Sequence, residues 1–252
     1  MKYNITAKIA LALGTVVLLG SATPALAATQ LETVIARSDK QIDARIADLN
    51  TLMARVQEMK NVSADQKTSI AADVQNNVGE LTALKAKIDA DTELATARED
   101  EKSILGSYRV YALIIPRGHL IAAADRIATL VGMMTTLSGK LQTRINEAQT
   151  AGKDVTALQT ALTDLNAKLA DASIQASAAI NYVAPLVPDN GDKAVAKANQ
   201  AALKSARADI KVGTSDLHDA RKDIETIMKG LKAFNKTSEA TSTPTTSAPS
   251  AQ

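Results

Sequence analysis

The chain is 252 residues long, 46% hydrophobic and 22% charged, and contains neither cysteine nor tryptophan. Without cysteine there is no disulfide, no thiolate nucleophile and no thiolate metal site, and lipoprotein processing, which needs that residue, is excluded. Lys2 and Lys8 account for the whole excess of Lys+Arg (29) over Asp+Glu (27), so the chain beyond residue 27 is formally neutral and its pI of 8.7 is no sign of nucleic-acid binding.

The first 27 residues follow the plan of a secretory signal peptide: a positive start at Lys2 and Lys8, an uncharged apolar run from Ile9 to Gly20, and small residues at Ala25 and Ala27 where a signal peptidase reads. The apolar run falls short of the ~20 residues of a spanning helix, so cleavage after Ala27 is expected in preference to retention as an anchor. The expected product is exported, periplasmic, cell-surface or extracellular, with no integral membrane segment once the leader is removed.

Beyond the leader the sequence predicts an all-α fold, an elongated antiparallel helical bundle or set of coiled-coil-like hairpins built from about five long helices. Its only aromatics are Tyr108, Tyr111, Tyr182 and Phe234, so Ala, Leu, Ile and Val must form a thin seam rather than a thick globular centre. The first helix is expected over 31–60, with Ile35, Ile42, Ile46, Leu49, Met53 and Val56 on one heptad-like stripe. Asn61-Val62-Ser63 ends it, and Ser63 with Gln66 reads as a capping box opening a second helix that carries Ile70, Val74, Val78, Leu81, Lys85 and Ile88. The short connector predicts an antiparallel hairpin over 28–103. Asp89, Asp91, Glu93, Glu99, Asp100 and Glu101 form an acidic run, read as a solvated helix or a break.

Residues 104–116 form the connecting segment. Its Val, Tyr and Ile content suits a strand, but the spacing of Ile104, Tyr108, Tyr111 and Ile115 suits a helix equally, and no second strand exists to pair with it. A helix is therefore expected, with Pro116 and Gly118 marking a kink or break. A three-helix region follows over 117–234. Its first helix keeps 4-3 spacing through Leu120, Ala124, Ile127, Val131, Met134, Ser138, Leu141, Ile145 and Ala148, with Gly152 as C-cap and Asp154 as the next N-cap. The second runs from Val155 through Leu158, Leu162, Leu165, Leu169, Ala172, Ala176 and Ala179 to Val183. Pro185, Pro188, Asn190 and Gly191 make a turn, Asp192 caps the last helix, and its stripe includes Val195, Ala202, Ala206, Ile210, Gly213, Leu217, Ala220, Ile224, Ile227, Leu231 and Phe234. The Ser/Thr/Pro/Ala segment 235–252 has too little apolar surface to pack and is expected to be disordered.

The densest group of chemistry-bearing residues is Tyr108, Arg109, Tyr111, Arg117, His119, Asp125 and Arg126. One reading is a recognition patch in which an arginine grips a carboxylate or phosphate. The other, which the absence of any defined motif favours, is a packed hinge with the tyrosines filling the divergence of helices and Asp125 pairing with an arginine. No metal or cofactor is expected: His119 and His218 stand apart, and Asp89-x-Asp91-x-Glu93 lacks the Gly and Glu that a calcium loop needs at its sixth and twelfth positions, where this chain has Leu94 and Asp100. No catalytic residues are expected either, since no nucleophile–histidine pairing or phosphate loop is present. The last helix is modestly basic, which suits either an anionic envelope surface or an ordinary solvated exterior, the latter preferred. These readings point to a non-enzymatic structural or protein-interaction module with an unknown protein partner and a homodimer conceivable through its regular seams. The alternatives are a binder of a small or lipid-like ligand near 104–126 and an enzyme of unknown class.

Overall fold

The computed structural model describes residues 24–106 and 110–241, with side chains for 27–105 and 110–234. They form an all-α bundle of six helices: α1 (Pro24–Glu58), α2 (Ala64–Asp89), α3 (Leu94–Gly106), α4 (Ile115–Thr150), α5 (Thr156–Val183) and α6 (Lys193–Thr241), with a π-helical turn (Val110–Ile114) leading into α4. Among the described residues there is no strand, and 104–106 and 110–115 are helical. Residues 1–23 of the expected leader and 242–252 of the expected tail lie outside the described residues, and α6 runs on to Thr241, past the expected helix end at Phe234.

Two apolar cores hold the bundle. One joins α1, α2, the π turn and the start of α4, and is completed by Ala179 and Val183 of α5, Leu186 of the following turn, and Leu203 and Ala206 of α6. The other is the long seam between α4, α5 and α6. Ile210 packs against both, so the N-terminal helices and the three-helix region share a junction rather than being strung on a linker.

Helix α5 buries every seam position that its spacing predicts, from Leu158 to Val183. Helix α1 does not. Its buried positions are Val34, Ser38, Ile42, Arg45, Leu49, Leu52 and Val56, with Met59 buried just past its end, while Ile35, Ile46 and Met53 are half-buried. The reason is packing on several sides: α2, α3 and α4 all contact α1, so its buried face is turned and widened relative to a single seam. The acidic run is also not simply solvated. Residues 90–93 form a tight connection, and α3 folds back on α1 as a third helix of the N-terminal group. Asp100 is buried and accepts from Lys87 Nζ at 2.7 Å, and Glu101 accepts two bonds from Arg37 at 2.5 and 2.6 Å.

The caps follow local chemistry. Ser63 and Gln66 exchange the reciprocal bonds of a capping box at the start of α2. At the end of α4, Gly152 takes φ +76°, its N–H donates to Gln149 O, and Lys153 N–H donates to Ala148 O, the two bonds of a Schellman motif. Asp154, expected as the N-cap of α5, stands one residue before it: the N-cap is Val155, which makes no side-chain cap bond, while Asp154 accepts from the Thr156 N–H at 3.0 Å. Asp192 accepts from the Ala194 and Val195 N–H groups at 2.7 and 3.3 Å.

Pro116 and Gly118 do not break the chain. Pro116 lies in the first turn of α4, directly after the π turn, the end of a helix where a proline is tolerated. Gly118 lies where α4 packs on α1: a Cβ there would stand 2.3 Å from Leu52 Cδ1. The glycine is needed for helix proximity, not for flexibility.

Candidate functional site

Of the seven residues grouped by the sequence, Tyr108 and Arg109 lie outside the described residues. The other five sit on the π turn and the first third of α4. Four of them are bonded to other elements, and two, Arg117 and Asp125, meet backbone groups that helix ends leave unsatisfied.

Arg117 is 7% exposed and reaches three elements at once. Nη1 donates to Asp73 Oδ2 of α2 at 2.6 Å, Nη2 donates to Ala184 O at 3.0 Å, and Nη1 approaches Leu186 O at 3.4 Å. Ala184 ends α5, where the last carbonyls of a helix lack partners and carry partial negative charge. With Pro185 next in the chain unable to continue the helix, the guanidinium fork supplies the missing donors.

Asp125 does the converse for the α1–α2 connection. Its Oδ1 accepts from the Lys60 and Asn61 N–H groups at 2.8 and 2.5 Å. The Asn61 side-chain amide donates to Asp125 O at 3.2 Å and to Thr129 Oγ1 at 2.8 Å. Lys67 Nζ donates to the carbonyls of Gln57 and Met59, the exposed end of α1. Asp125 therefore binds backbone amides, not the arginine that the packed-hinge reading gave it.

His119 Nδ1 lies 2.9 Å from Arg55 Nη1. A guanidinium only donates, so Nδ1 accepts and the histidine carries its proton on Nε2 in this arrangement. The Tyr111 hydroxyl donates to Asp48 Oδ2 at 2.7 Å, and Arg45 stacks over the ring at 4.9 Å from its centroid. Burial is the larger cause and the Asp48 contact the next in pushing the Tyr111 hydroxyl above its ordinary pKa.

Tyr111, His119 and Arg126 are exposed, and of the five Arg126 alone makes no hydrogen bond or ion pair among the described residues. With Arg55, Glu58, Met59 and His119 it borders an open cleft of about 480 Å³. A second cavity, of about 440 Å³, lies at the far end of the bundle, where Arg144 and Ala148 of α4 face Met228, Leu231, Lys232 and Phe234 of α6. The 104–126 group thus assembles a joint: it brings α1, α2, α4 and the α5–α6 turn to one place. Among the described residues, no group of three or more His, Asp or Glu stands close enough to hold a metal ion.

The partners of this joint were invisible to spacing arguments. Asp73, Asp48, Arg45 and Arg55 read as ordinary charged helix positions, and only the Asn61 break signalled anything. One further feature concerns α4. Within Leu94–Thr150, partly across residues that are not described, an 18-residue window has mean hydropathy 1.4 and is only 28% buried, long and apolar enough by composition alone to cross a membrane. The core helix of a soluble protein passes the same test.

No protein-family model, no curated protein and no solved structure matches this chain.

Proposed function

We propose that the chain is an exported, non-enzymatic helical module that acts by presenting long helix faces to a partner in the cell envelope or outside the cell. One observation carries the reading: Arg117 and Asp125, the most buried members of the one dense polar group, are committed to backbone and side-chain partners of their own chain. Groups so engaged are not available to a substrate without dismantling the junction between helices. The leader-like residues 1–27 support export. The regular seams are taken up inside the chain, so a homodimer would have to form through outward faces.

Cross-linking on intact producing cells, followed by mass spectrometry of what is captured, tests this reading. A defined envelope component captured reproducibly supports it; recovery of the protein only from the cytoplasm overturns it. A second reading, a small ligand near the π turn and α4, draws on the cleft between Arg55, His119 and Arg126. It requires Arg126→Ala to abolish a ligand-induced change in tyrosine fluorescence while leaving helicity intact.

A further inference from the structure

The charges of α6 are sorted by the fold. Asp209, Asp216, Asp219 and Asp223 are half-buried, and Asp223 is held by Lys168 of α5 at 2.7 Å. Lys193, Lys197, Lys204, Arg207, Lys211, Arg221, Lys222, Lys229 and Lys232 are all exposed. Arg221 pairs with Glu225 and Lys222 with Asp219, while the other seven make no ion pair among the described residues. At 1.5 Å per residue this row runs for about 60 Å along the outside of the bundle.

The neighbouring flank of α4 continues it. Arg126, Leu130, Met133, Leu137, Lys140 and Arg144 follow at 4-3-4-3-4 spacing, which places them on one stripe, and all six are exposed; Arg144 pairs with Glu147 at 3.1 Å, while Arg126 and Lys140 make no ion pair among the described residues. No acidic residue occurs between Asp125 and Glu147. The two helices lie side by side on this face: a Cβ on Gly213 would stand 3.4 Å from Ile127 Cδ1, and the cavity at the far end is walled by Arg144 and Ala148 on one side and Met228 and Lys232 on the other. Met228, Met133, Leu130 and Leu137 are 54%, 65%, 37% and 36% exposed.

We propose that this α4–α6 face docks on a bilayer surface rich in anionic phospholipid headgroups. The proposal rests on the reading above, that the chain works by presenting helix faces, and names the partner. Unpaired cations in a row are drawn to a negatively charged leaflet. The exposed Leu and Met side chains among them gain by entering the headgroup–acyl boundary, whereas they gain nothing against a phosphodiester backbone. A straight row of this length suits a plane. Nucleic acid is the disfavoured polyanion, because apart from His218 the row has no exposed ring on which a base could stack.

The test is flotation of the protein purified from producing cells with two kinds of vesicle: phosphatidylcholine alone, and phosphatidylcholine with one-third phosphatidylglycerol. Wild type is expected to float only with the anionic vesicles and to be released by added salt. The quadruple variant Lys211→Glu, Arg221→Glu, Lys229→Glu, Lys232→Glu should weaken binding by about tenfold or more. A neutral version with Gln at the same four positions should lie between, and guards against misfolding in the reversed one; circular dichroism checks both. Met133→Ser with Leu137→Ser should weaken binding without changing its salt dependence. Absence of flotation at low salt, flotation indifferent to the four reversals, or binding to duplex DNA but not to vesicles overturns the proposal. None of those results touches envelope capture by cross-linking, so failure here is distinct from failure of the interaction reading.

Discussion

At the scale of single residues, the account turns on Arg117, Asp125 and Gly118. Arg117→Met removes three donated bonds and leaves the Ala184 and Leu186 carbonyls without them, so a loss of about 2–3 kcal/mol is expected in urea unfolding. Asp125→Ala should cost about as much, because the Lys60 and Asn61 N–H groups lose their acceptor. Gly118→Ala should destabilise by about 1–3 kcal/mol, since the new methyl meets Leu52, itself only 3% exposed, and must push that buried side chain aside. Leu52→Ala in the same chain should recover part of that loss; additive losses would contradict the close approach. The sequence announced the importance of this group but not its work. Arg117 and Asp125 stood out by density, yet their partners are Asp73, two carbonyls and two backbone amides some forty to seventy positions away. Backbone groups have no residue-type signature, so nothing in the spacing could name them.

At the scale of elements, a helix was legible where its partners meet it along one continuous stripe. Helix α5 lies between α4 and α6 and keeps its full predicted stripe. Helix α1, contacted by three helices, buries Leu52, Arg45 and Ser38 in place of Ile46 and Met53, because a wider contact averages away a single heptad seam. The Ser63 capping box and the Gly152 turn were legible because their chemistry is local; Asp154 stands one residue before the N-cap Val155 and gives a pH prediction all the same. The Thr156 N–H holds the Asp154 carboxyl below the usual range. A lowered folded pKa means that the contribution is full above the unfolded carboxylate's pKa and is lost as pH falls through the folded value. The start of α5 should therefore fray below about pH 4, seen as faster exchange of the Thr156 amide; unchanged exchange in Asp154→Ala at neutral pH would contradict it. Asp216 shows the opposite sign. Burial first, then Asp171 and Asp219, raise its pKa, so ionisation opposes folding at neutral pH and the penalty fades as the pH falls through that raised value. Asp216→Asn should raise the melting temperature by about 1–2 °C at pH 7 and by less in acid.

At the scale of the whole molecule, the fold separates two kinds of polar surface. One lies at the junction of the N-terminal helices with the three-helix region and holds the bundle together. The other lies along α4 and α6, where most of the exposed cations make no ion pair among the described residues. The sequence shows both as interleaved charge, because a helix of 49 residues mixes its faces in linear order and only packing against α5 reveals which charges turn inward. This division also predicts how damage spreads. Changes at exposed α6 lysines should alter association and leave the unfolding midpoint near that of wild type. Changes at Arg117 should do the reverse.

The most direct test of that division is hydrogen exchange, read by mass spectrometry, of Arg117→Met against wild type. The account predicts that protection falls together in the 58–63 connection, the first turns of α4 and the 184–191 turn, while the middle of α4, α5 and α6 keeps its protection. Protection indistinguishable from wild type in all three segments would contradict it, and would mean that the polar group around Arg117 does not join the helices and is free for a ligand.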